Sequence, residues 1–219
     1  RSMFHGLFGY DNAISKFFRT IGNVWYLHIL CLVTSLPVIT IGASTTALLY
    51  SMMKLHREDG YPTENFFHSF KMNFRQATEL YLIYLAAGAL IAADLVIANQ
   101  MMGDTGKGFW MISLIVAVPY VLGLLYVFAV EARFVNTIRA TIRYAFGLSI
   151  RHFKYTFQML ILVALVIYAN TTLVICNFLT LSFGVGLTAY ILTFYYNRIF
   201  EQYIPKKEAQ DDTAWDSPA

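Results

Sequence analysis

A chain of 219 residues that is 58% hydrophobic and only 13% charged carries about half the charge of a soluble domain, for which about 25% is usual. That excludes an ordinary soluble enzyme or binding domain and makes lipid the solvent for most of the sequence. A formal net charge of +3 is no nucleic-acid footprint, and no nucleic-acid partner is expected.

Uncharged stretches recur along the chain at 24–53, 80–93, 108–130 and 155–197. The apolar core of a bilayer, about 30 Å thick, takes about 20 helical residues to cross. The first stretch has no small-residue cleavage site and is too long for a signal sequence, so it reads as membrane-resident. As one helix, Val24–Met53 would measure about 45 Å. It would have to tilt by about 48°, beyond the usual range. Two passes, about 17–36 and 38–55, fit better. Pro37 cannot continue the first helix but suits the first turn of the next. Gly42 permits backbone angles that other residues avoid, and Ser44, Thr45 and Thr46 are suited to capping a helix start. A second reading stays open. If the helix begins only at Ser44, then 37–43, or 37 to Ala43, is a re-entrant piece that must be buried or line a cavity, as at the broken helices of transporters.

The loop after the second helix carries Lys54, Arg57, Lys71 and Arg75. In it Phe66, Phe70 and Phe74 recur every four residues, with Phe67 beside them and His68, Lys71 and Arg75 on a neighbouring face. That is the pattern of a short helix lying on the inner membrane surface. The segment 145–161 repeats it weakly at an offset of 79, where Phe67 matches Phe146, Phe74 matches Phe153 and Arg75 matches Lys154. With Arg139, Arg143 and Arg151 the second segment is more basic still. Both suit anchoring to membrane lipids or docking to a partner. Met3–Tyr10 also looks interfacial.

The remaining helices are expected at about 77–99, 109–131, 156–178 and 182–200. The fold class is therefore all-α: a polytopic membrane protein of about six transmembrane helices, the first two a hairpin broken by Pro and Gly, plus short cytoplasmic interfacial helices. Residues 1–204 form a single transmembrane domain, and the polar tail 205–219 is expected to be disordered. Fifteen of the sixteen Lys and Arg residues fall in four groups, near the N-terminus, at 54–75, at 132–155 and near the C-terminus; Lys107 stands apart. The positive-inside rule puts those four groups, and both termini, in the cytoplasm.

Polar groups within the spans are costly and often functional. Asp94 could line an outward cavity or reach headgroups. Asn170, Thr171 and Thr172, expected near the middle of the fifth helix, could contact a polar solute or bond between helices. His28 reads as a packing residue, and Glu131 with Arg133 as a local charge pair. The two cysteines, Cys31 and Cys176, match neither a disulfide framework nor a metal site and read as small buried apolar residues. Gly103–Gly108 (GDTGKG) is too short between its glycines for a phosphate loop, and HExxH, CxxC and Gly-x-Ser-x-Gly are absent. No catalytic residue, cofactor or metal is expected, and the chain does not read as an enzyme.

Three pieces, KFFRTIGNVWYLHILCLV, SLPVITIGASTTALLYSMMKLHREDGY and FFHSFKMNFRQAT, resemble the YesL-like family of small bacterial membrane proteins, a family of unknown function. The likeness continues weakly through SIRHFKYTFQMLIL, covering about 4–204. The resemblance implies a companion of carbohydrate ABC importers: a non-catalytic accessory or regulatory subunit in the bacterial cytoplasmic membrane, with importer permease subunits as partners. The Glu-Ala-Ala…Gly loop by which permeases dock their ATPase is missing; Glu131-Ala132-Arg133 begins like it, but no glycine follows before Gly147. The small-residue run Gly42–Ala47 would then offer close contact to a permease helix. The alternative is a stand-alone small-solute transporter or channel, such as a homo-oligomer, using the 37–46 segment with Asp94 and Asn170.

Overall fold

A computed structural model describes residues 13–101, 104–172 and 174–203. Helices account for nearly all of them, and no strand occurs among them. In chain order they are α1 (Ala13–Thr34), a 3₁₀ turn (Val38–Thr40), α2 (Ile41–Leu55), α3 (Pro62–Gln100), α4 (Asp104–Arg133), α5 (Ile138–Arg151), α6 (Phe153–Thr172), α7 (Val174–Leu179), a π-helical turn (Thr180–Gly184) and α8 (Val185–Phe200). Six stretches are long and apolar enough to cross a membrane: Ser15–Thr34, Val38–Leu55, Pro62–Gln100, Gly106–Arg133, Phe153–Thr172 and Asn177–Phe200. The chain thus fits a multi-pass membrane protein. The expectations for Met3–Tyr10 and for the tail from Pro205 lie outside the described residues, as does the side chain of Cys176.

The shortest span is the centre of the packing. In α2, 67% of the most apolar window is buried, against 11% in α3 and in α6. It touches α1, α3, α4 and α8. Sequence explains this: Gly42, Ala43, Ser44, Thr46 and Ala47 let neighbouring backbones come close, and farther along the helix Leu48, Met52 and Met53 are buried as well. Phe66, Leu80, Tyr126, Val127, Tyr196, Ile199 and Phe200 complete one apolar cluster around it.

One open alternative is decided and three expectations are corrected. First, of the two readings of 37–43, the structure has the tight turn and not the re-entrant loop. Pro37 precedes a single 3₁₀ turn, and Thr40 Oγ1 donates to the carbonyls of Thr34 and Pro37, each at 2.6 Å. Leu36, Val38 and Ile39 are exposed. Second, the helix is under way before Ser44, so Ser44–Thr46 do not cap it. Thr45 and Thr46 instead donate to the carbonyls one turn back, Ile41 at 2.7 Å and Gly42 at 2.9 Å. Third, the aromatic segment 66–75 is not a separate surface helix but the beginning of α3. Pro62 opens that helix in its first turn, where its missing N–H costs nothing. No breaker follows for 39 residues, about 58 Å at 1.5 Å each. Fourth, the stretch expected to turn near 178–182 is helical: Thr180–Gly184 is a π-helical turn that follows Leu179 directly and runs on into α8. Asn170, Thr171 and Thr172 all fold their side chains onto the carbonyls of Val166 or Tyr168.

Candidate functional site: polar junctions around a buried helix

Gly42 sits where α2 meets α3. A Cβ there would lie 2.5 Å from Tyr81 Cβ and would also run into the Ala77 carbonyl oxygen. Gly42, Ala43, Ser44 and Thr46 are buried and Thr45 half-buried. The small-residue run is therefore spent on contact inside the chain, and the expectation that it faces a permease is corrected.

The polar residues expected within the spans stand on other helices than that segment. Asp94 is exposed on α3. Thr171 and Thr172 are exposed at the end of α6, bonded to their own helix. Asn170 borders a groove of about 250 Å³ between α6 and the π turn with α8, lined mainly by apolar side chains such as Leu162, Val166 and Leu187. Neither Asp94 nor any residue of 37–46 lines it.

The basic and aromatic residues lie outside. Lys71, Arg75, Arg139, Arg143, Arg151 and Lys154 are exposed, as are Phe67 and Phe74. Some are occupied: Arg75 Nε pairs with Glu79 at 3.0 Å, and Arg151 lies over the Tyr203 ring at 5.6 Å.

Three polar junctions join elements far apart in the chain, through partners the sequence reading did not find. At the first, Glu131 of α4 is buried and accepts from Gln76 Nε2 of α3 at 2.9 Å and from Thr141 Oγ1 of α5 at 3.2 Å. The Gln76 amide also donates to the Asn136 carbonyl at 2.5 Å. One carboxylate thus ties three helices and the linker between α4 and α5, where the sequence suggested only a local pair with Arg133. No periodicity reveals a partner 55 residues away.

At the second, just beyond α2, the His56 ring stacks on Tyr190 of α8 with centroids 4.1 Å apart. Its Nε2 lies 3.0 Å from the Tyr190 carbonyl and 3.1 Å from Thr193 Oγ1; as an N–H it donates to that carbonyl. Burial lowers the His56 pKa from the ordinary 6.5, and the Tyr190 carbonyl opposes this only in part. Asn197 Nδ2 donates to the Met53 carbonyl at 3.1 Å. Around this corner run ion pairs Lys16–Glu58, Lys54–Asp59 at 3.3 Å and Arg57–Glu201 at 3.7 Å. The turn needs left-handed backbone at Glu58 (φ 56°) and Gly60 (φ 67°), and Asp59-Gly60 is its legible signal.

At the third, His28 of α1 is fully buried and its Nε2 lies 2.7 Å from the carbonyl of Leu181, inside the π turn. Gly186 makes room, since a Cβ there would come within 2.7 Å of His28 Cβ. The imidazole thus ties α1 to the main chain of the π turn. Packing remains its role, as the sequence suggested, with a specific partner added.

Among the described residues no three His, Cys, Asp or Glu side chains gather as a metal-binding set.

The profile of a family described as "Protein of unknown function, DUF624", in which YesL-like proteins are grouped, matches residues 20–95. That stretch holds most of α1, the tight turn, α2, the 56–61 corner and α3 as far as Leu95. No curated protein and no solved structure matches the chain.

Proposed function

We propose that this chain is a non-catalytic accessory or regulatory subunit that binds laterally to the permease helices of a carbohydrate ABC importer in the bacterial cytoplasmic membrane, with both termini in the cytoplasm. One observation carries the lateral mode of binding: the long spans bury little of themselves within the chain. Only 11% of the most apolar window of α3 and of α6 is buried, and 17% of the span that includes α8. The outer halves of α3 and α4 expose Leu90, Val96, Ile97, Ile115 and Val118. The importer itself comes from the resemblance to YesL-like proteins and not from the packing.

The stand-alone transporter is the weaker reading. The groove beside Asn170 takes no wall from the 37–46 segment or from Asp94. The two readings separate in one experiment. The tagged chain is purified from its own membranes in mild detergent, with mass spectrometry of what accompanies it. Stoichiometric permease and ATPase subunits are expected. A clean monomer or homo-oligomer, together with solute flux in liposomes holding this chain alone, overturns the proposal.

A further inference from the structure

We infer that the outer face of α5 is a binding surface for anionic phospholipid headgroups, a role the sequence pattern shares between two segments and the structure gives to one. Two stripes run along this helix. Thr141, Ala145, Leu148 and Ser149 are buried against the body of the protein, spaced by four, three and one as a single helical face requires. Arg139, Arg143, Phe146 and Ile150, spaced by four, three and four, are all exposed. A Cβ at Gly147, beside them, would meet nothing within 4 Å, so the face is open. Its order is chemical as well: the arginines come first, then Phe146 and Ile150. Next follow the exposed Phe153, Lys154 and Phe157 at the start of the α6 span. Cations at headgroup level with apolar side chains beside them are what an interfacial helix presents to lipid.

Charge selects the partner. No Asp or Glu occurs between Glu131 and Glu201, so neither α5 nor the start of α6 brings an acid of its own. Among the described residues neither Arg139 nor Arg143 stands in an ion pair. The corresponding stretch of α3 also exposes Phe67, Lys71, Phe74 and Arg75, but it carries acids of its own, Glu64 and Glu79, and Glu79 pairs with Arg75 at 3.0 Å. An anionic surface attracts a basic residue by about fivefold in binding, and two by about 25-fold.

The test uses the whole chain in detergent, with phosphatidylglycerol or phosphatidylcholine added, read by thermal unfolding and by native mass spectrometry. Phosphatidylglycerol raises the melting temperature and remains bound, phosphatidylcholine does not, and the increment shrinks as salt rises from about 50 to about 500 mM. In Arg139→Gln/Arg143→Gln the apparent affinity for phosphatidylglycerol drops about 25-fold, while Lys71→Gln/Arg75→Gln keeps it. The charge-preserving Arg139→Lys/Arg143→Lys retains most of it. An undiminished increment in the glutamine pair, an equal effect of phosphatidylcholine, or full replacement by inorganic phosphate overturns the inference. Should the glutamine pair not fold, a salt-independent increment in the unaltered chain overturns it as well.

Discussion

Gly42 and Tyr81 touch backbone to side chain: a Cβ on Gly42 would stand 2.5 Å from Tyr81 Cβ. This contact lets α3 lie along α2, and α2 in turn is the element that α1, α4 and α8 pack against. Gly42→Ala is expected to destabilise the chain by about 1–3 kcal/mol, the usual cost of overpacking, and Gly42→Leu to abolish folding. Gly22 is also helical but has open space around it, so Gly22→Ala should be neutral or slightly stabilising. Thermal unfolding in detergent checks the pair; equal effects at the two glycines would contradict this packing.

Glu131 holds three helices through neutral partners, and its neighbours should feel its loss. Gln76→Ala and Thr141→Val each remove a donor to a buried carboxylate, at about 1–3 kcal/mol. Glu131→Gln keeps an acceptor oxygen and should cost less than Glu131→Ala. A double-mutant cycle between Gln76 and Thr141 is expected to be non-additive, because both serve one oxygen atom; strict additivity would place them in separate environments.

The same junction marks the limit of what the sequence makes legible. Six spans, the hairpin at Pro37 and the basic ends follow from hydropathy and charge, because lipid imposes them on every segment separately. Which face of α2 is buried does not follow. Gly42–Ala47 reads equally well as a contact for another protein, and only the neighbour at Ala77 decides. Glu131 finds Gln76 at a separation of 55 residues, and His56 finds Tyr190 at 134; no local pattern encodes either. The turn expected near 178–182 rests on counting apolar residues, and that count does not distinguish a turn from the π-helical Thr180–Gly184 that stands there.

His56 makes stability depend on pH. Burial lowers its folded pKa from 6.5, so below about pH 6.5 the unfolded chain binds more protons than the folded one. Stability should rise with pH from the lowered folded value up to about 6.5 and level off above. The melting temperature is expected to fall between about pH 7.5 and 5.5. In His56→Phe that part of the slope should vanish, with ring stacking on Tyr190 preserved. The difference between the two profiles is the reading, and parallel profiles would contradict a lowered pKa at the half-buried imidazole.

The ion pairs around the 56–61 corner should matter far less. Lys16 and Glu58 are both exposed, and Arg57 meets Glu201 at the long separation of 3.7 Å. Lys16→Ala or Glu201→Ala is expected to change stability by less than about 1 kcal/mol. A larger loss on chemical denaturation would show that the corner depends on charge and not on the His56 stack.

The central claim, lateral binding to a permease, is tested most directly by photo-crosslinking in native membranes. A photoreactive residue is placed at Leu90 on α3, Ile115 on α4 or Leu165 on α6, all exposed, and at Leu48 on α2, which is buried. The account predicts adducts with a permease subunit from at least one outward position and only internal adducts from Leu48. Lipid adducts alone, or adducts only between copies of this chain, from all three outward positions would contradict it.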